Sequence, residues 1–76
     1  MMTLLDCQKN QRYTILKIEG CDDALKNRFL SFGIVAGAQF VLLHHSLQKA
    51  TLSIALGRAQ IALRAHEAKC ILVKPL

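Results

Sequence analysis

Hydrophobic and polar positions change period sharply between Asp22 and Leu43. Leu25, Phe29 and Phe32 recur at i, i+4, i+7, which places all three on one face of a helix. Asp22 and Asp23 stand where an N-cap and a negative charge at the positive helix end are favoured. Gly33 suits the left-handed position that ends such a helix, with Ile34 folding back onto Phe29. In Val35-Ala36-Gly37-Ala38, Gly37 fits the third place of a type II turn, where φ must be positive. From Gln39 the period becomes two, with Phe40 and Leu42 on one side and Val41 and Leu43 on the other. The pattern predicts a helix bent directly onto a strand, one corner of a small core.

The flanks alternate in the same manner. Thr3 to Cys7 reads as a short turn laying Leu4 and Leu5 on the core, and Asn10 fits a left-handed loop position. Arg12 to Glu19 predicts a first strand, with Tyr13, Ile15 and Lys17 opposite Thr14, Leu16 and Ile18. His44 to Ala50 reads as a polar loop. Thr51 to Leu56 and Ala59 to Arg64 are strands joined by Gly57-Arg58, a two-residue type II′ turn. A single helical turn from Ala65 to Lys69 and a last strand from Ile71 to Val73 complete the chain. The expectation is a mainly β fold: a small, strongly bent barrel of about five strands, with a helix inserted between the first and second. Closure would remove most exposed edges.

Seventy-six residues make one domain, and 53% of them are apolar, enough for a core and too many for disorder. No apolar run approaches the roughly 20 residues that span a bilayer. The N-terminus lacks the basic start and apolar core of a secretory signal. Three cysteines, Cys7, Cys21 and Cys70, widely spaced and without a CxxC, argue against a disulfide framework and suit a reducing cytoplasm. Cys21, in the turn before the helix, is expected to be the most exposed of them. The net charge of +5 points towards an anionic partner, yet Lys and Arg are scattered one or two at a time.

Candidate chemistry is sparse. His44 and His45 would point to opposite strand faces, and His66 with Cys70 could share a helical face, which gives at most two ligands. A zinc site wants three or four. No cysteine has a general base beside it in a recognisable pattern, and neither GxxxxGK[ST] nor GxGxxG occurs. No catalytic residue, cofactor or metal ligand is therefore assigned, and an enzyme is not expected. A nucleic-acid-binding barrel needs exposed aromatic platforms, and only Tyr13 lies outside the expected core. The unclaimed apolar residues are Leu30, Val41 and Leu43, which with Lys26 and Arg28 as charged edges would form a protein-contact surface.

The stretch LKNRFLSFGIVAGAQFVLL (25–43) resembles the helix–Gly-x-x-x-Gly–strand signature of the FeoA family, the small cytoplasmic A component of the bacterial ferrous-iron uptake system. IALRAHEAKCILV (61–73) is similar to that family's closing segment, and LLDCQKNQRYTILKIEG (4–20) matches its opening more loosely. Asn10 stands where the family often has Gly, Phe32 where Met or Leu is usual, and Ala36 where Pro is common; Lys49-Ala50-Thr51 replaces its usual Gly-Asp/Asn-Pro. The resemblance implies an SH3-like barrel. It also implies a cytoplasmic accessory role at the inner face of the inner membrane, binding the cytoplasmic GTPase region of a ferrous-iron transporter and regulating it by contact. The alternatives are a small basic nucleic-acid-binding barrel, or a transition-metal-binding protein using His44 or His45 and a thiol. Nucleic acid is not the expected partner, and self-association stays open.

Overall fold

Asp22, Gly33 and Gly37 set the corner as their chemistry requires. In the computed structural model, which describes residues 1–76, Asp22 Oδ1 accepts the Leu25 N–H at 2.8 Å and caps helix α1 (Asp23–Ser31). The helix ends on Gly33, with φ +84°; the Gly33 N–H donates to Leu30 O at 3.0 Å and the Ile34 N–H to Phe29 O at 3.0 Å. That double bond is the Schellman arrangement, and it drives Ile34 into the core beside Phe29. The turn closes through Gly37, φ +88°, with the Ala38 N–H donating to Val35 O.

Before α1 come a 3₁₀ turn at Leu4–Asp6 and strand β1 (Arg12–Ile18); after it follow β2 (Gln39–His45), β3 (Thr51–Leu56), β4 (Ala59–Arg64), α2 (Ala65–Ala68) and β5 (Ile71–Pro75). The strands form one antiparallel sheet in the order β4-β3-β2-β1-β5. Their inward residues, among them Tyr13, Ile15, Phe40, Leu42, Ile54 and Ile61, meet Phe29 of α1, Leu4 and Cys7 from the N-terminal turn and Ala68 of α2 in a core of 16 residues. No helix is long and apolar enough to cross a membrane.

The helix between β1 and β2 is as expected, and β3 and β4 have the expected bounds. Gly57, φ +60°, carries the two-residue turn between them. Asn10 takes the left-handed conformation, φ +67°. Four expectations need correction. Strand β2 runs on through His44 and His45, where the sequence predicts a loop. Phe32 does not join Leu25 and Phe29 on the core face: as the C-cap residue it has left the helical stripe. Tyr13 is not free but buried; its ring stacks on Phe40 at 5.7 Å between centroids and its hydroxyl accepts the Gln8 N–H at 2.7 Å. The sheet, finally, does not close by a ladder, since β4 and β5 are its two ends. Instead α2 spans between them, and the N-terminus covers the outer edge of β5 through a Thr3–Leu72 bridge and a bond from the Val73 N–H to Met2 O.

Two bulges bend the sheet. The pairing of β1 with β5 slips between Ile15 and Lys17, and that of β2 with β3 between Leu42 and His44. One residue in each, Leu16 and Leu43, is left over from the ladder, and extra residues of this kind sharpen twist. A strict two-residue alternation therefore misplaces everything beyond them.

Candidate functional site

The last turn of α1 carries the site. Arg28 reaches across the sequence to α2, where its Nη1 donates to Glu67 Oε2 at 2.8 Å. Glu67 Oε1 accepts the Arg64 N–H at 2.8 Å, so one carboxylate caps α2 and clasps α1. Glu67 is buried while the Arg28 side chain is 54% exposed, so the pair is a clasp with one arm in water. The guanidinium also lies 5.8 Å from the centroid of the Phe32 ring, within cation–π range. No buried side-chain nitrogen or oxygen lacks a partner.

Around this clasp the surface turns apolar. Leu30 is 51% exposed, Phe32 40% and Val35 38%. The Val35–Ala38 turn is tied to β1 by two bonds, Ile15 N–H to Ala38 O at 2.9 Å and Gly37 N–H to Ile15 O at 2.8 Å. The next residue on β1 is the bulged Leu16, itself 41% exposed. On its other side the helix end abuts the β3–β4 hairpin: a Cβ built on Gly33 would lie 3.3 Å from Leu56 Cδ2.

Lys26, Arg28 and Leu30 are all exposed on α1, Lys26 and Leu30 on one side and Arg28, two positions from each, turned towards α2. Val41 and Leu43 belong to the outer side of β2 and are half-buried: Val41 lies between Arg12 and Ala55 in the ladders, and Leu43 is the bulge residue. A helical period puts Phe32 on the core face, whereas Val35, placed in the turn, and Leu16, in an alternating strand, carry no local signal that marks them as exposed. Glu67 was missed because its partner is 39 positions away.

His44 and His66 are exposed, and His45 Nδ1 lies 3.1 Å from Ser46 O. No three His, Cys, Asp or Glu side chains converge on a point where an ion could sit. Burial, reinforced by neighbouring Asp6, pushes the Cys7 thiol up to about 12. Cys70 is likewise raised, first by burial and then by Cys21, Asp22 and Glu67. Neither is an activated nucleophile. Cys21, half-buried, is the most accessible of the three, as expected.

Comparison with known proteins agrees with this architecture. A "Putative Fe(2+) transport protein A" of Helicobacter pylori is 53% identical over 73 residues, covering 96% of each chain. The solution structure of a FeoA protein from Chlorobium tepidum superposes with a TM-score of 0.89 at 21% identity, over 99% of this chain and 70% of that one. Stenotrophomonas maltophilia FeoA, described as a prokaryotic SH3 domain protein and crystallised with zinc, superposes with a TM-score of 0.85 at 23% identity, over 97% and 91%. At such identities the superpositions establish the SH3-like fold. The FeoA domain family pattern itself matches residues 2–75, and with a relative this similar over nearly the whole length, the chain belongs to the FeoA domain family.

Proposed function

We propose that the protein is a non-enzymatic accessory component of ferrous-iron uptake, acting in the cytoplasm. In this reading it docks on the soluble GTPase region of a ferrous-iron transporter and regulates it by contact. The iron connection comes from the name its Helicobacter pylori relative carries. The contact reading is supported by one observation above others: the exposed Leu30–Phe32–Val35 cluster at the end of α1, edged by Lys26 and Arg28. Half-exposed leucine and phenylalanine side chains near cations have the make-up of an interface core with its rim. Val41 and Leu43, partly covered in the monomer, extend the candidate surface to the outside of β2.

The direct test is capture by the transporter's cytoplasmic domain, comparing wild type with Leu30→Asp and Val41→Asp, each checked for a native circular dichroism spectrum. Leu30 is half exposed and outside the buried core, so Leu30→Asp should fold normally and lose capture. A folded Leu30→Asp protein that is captured as well as wild type removes the helix end from the interface, and the same result for Val41→Asp removes β2.

A further inference from the structure

Two of the three cysteines share one groove. Gly20, φ +80°, turns the chain back after β1, while the Glu19 N–H donates to Cys70 O at 2.9 Å, so the residues preceding α1 run along the start of β5. Cys21 and Cys70 consequently line one shallow groove between α1 and α2, with Asp22, Arg28, His66 and Glu67. The Cys21 side chain is close enough to be among the neighbours that push the Cys70 thiol up, after burial itself. The Cys70 thiol also points to His66 O, 3.6 Å away. Cys21 is the outer, accessible member; Cys70 is buried behind it. Cys7 lies elsewhere, under the N-terminal turn, with its sulfur 3.9 Å from Thr3 O.

We infer that Cys21 and Cys70 form an oxidisable dithiol, a modification site at which hydrogen peroxide joins the start of α1 to the start of β5 through a disulfide. The arrangement supplies the two parts such chemistry needs, an accessible thiol and a second thiol within reach. In the first step the Cys21 sulfur attacks one peroxide oxygen. The O–O bond breaks, one water leaves carrying the thiol proton, and Cys21 becomes a sulfenic acid. In the second step the Cys70 sulfur attacks the Cys21 sulfur, the S–O bond breaks, and a second water leaves with the Cys70 proton. Two thiols have then lost two electrons, and one peroxide has been reduced to two waters. Cys70 must give up its proton as it attacks, and its place in the same groove raises its effective concentration at the sulfenic sulfur.

The test uses the full chain, reduced, desalted and exposed to a small excess of hydrogen peroxide. Intact mass and non-reducing peptide mapping should show a monomer lighter by two hydrogens with a Cys21–Cys70 cross-link, and thiol titration should fall from three groups to one, Cys7. Cys70→Ser should halt the reaction with one oxygen added at Cys21, trappable by dimedone. Cys21→Ser, a change at a half-exposed turn, should leave Cys70 reduced over the time in which wild type is fully oxidised, and it serves if Cys70→Ser does not fold. Stepwise addition of oxygen to Cys21 without loss of hydrogens in wild type, a cross-link through Cys7, or disulfide-linked dimers as the main product would each overturn the assignment.

Discussion

Replacing Glu67 by Gln tests the clasp between the helix and the barrel. The carboxylate serves two donors at 2.8 Å each, the Arg64 N–H and Arg28 Nη1. A hydrogen bond to a charged group contributes about 1.5–3 kcal/mol. Glutamine keeps one acceptor oxygen but turns its NH₂ on the other donor, so one of the two bonds is lost outright and its donor faces a second donor. The Arg28 arm adds little: with its side chain 54% exposed, solvent screening holds its share below about 1 kcal/mol. The expected cost of Glu67→Gln is about 2 kcal/mol, or a fall in Tm of about 10 °C for a domain of this size. Urea unfolding followed by circular dichroism on wild type, Glu67→Gln, Arg28→Ala and the double variant gives the coupling directly. It should be about 0.5–1 kcal/mol, with Glu67→Gln costing more than Arg28→Ala. A coupling above about 3 kcal/mol would mean a water-excluded ion pair, and a Glu67→Gln protein as stable as wild type would mean that the carboxylate holds nothing; either result refutes the account.

Three further outcomes follow from particular atoms. Gly33→Ala places a Cβ at φ +84° and 3.3 Å from Leu56 Cδ2, and should cost about 1–2 kcal/mol in chemical denaturation, with Gly33→Asn less harmful because Asn tolerates the left-handed region. The Cys7 thiol, raised from 9.0 to about 12 in the fold, stays protonated there after the unfolded chain has begun to ionise; its contribution is intact below pH 9 and lost as pH rises from 9 towards 12. Wild type should therefore lose stability faster than Cys7→Ala over that interval, by up to about 1.4 kcal/mol per pH unit, and parallel curves would contradict it. Peroxide-oxidised protein, its Cys21–Cys70 bond closing a loop of about 50 residues, should resist urea better than reduced protein, by at most about 4 kcal/mol on chain-entropy grounds.

What could be read in advance was whatever a residue type decides alone or with near neighbours. Asp22 as cap, Gly33 and Ile34 as the helix stop, Gly37 and Gly57 as turns and Asn10 as a left-handed loop residue all rest on contacts within a few positions, and all are present. Periodicity carried the strands until Leu16 and Leu43, where one inserted residue changes the face of everything after it and leaves no mark in composition. Phe32 shows the same limit at the helix end, since a stripe of i, i+4, i+7 residues says nothing about where the helix stops being one. The clasp of Arg28 on Glu67 and the apposition of Cys21 with Cys70 join distant positions. They exist only because β1 and β5 pair, and no local pattern encodes that pairing. Within the candidate surface, Leu30 was legible from its place off the buried stripe, whereas Val35 and Phe32 needed the turn to be built.

The pairing of Thr3 with Leu72 brings head and tail of the chain onto one strand. Met2 bonds to Val73, and Leu76 lies three residues further along, bonded to Arg12. At about 3.4 Å per residue Met2 and Leu76 are separated by about 10 Å along the strand, a gap that a few glycines would bridge. A circular permutant, its original ends sewn together and new ones opened at the exposed Gly57-Arg58 tip, would keep every ladder in place. Such a permutant frees both ends for fusions, without a tag prising the N-terminal residues from the margin they protect.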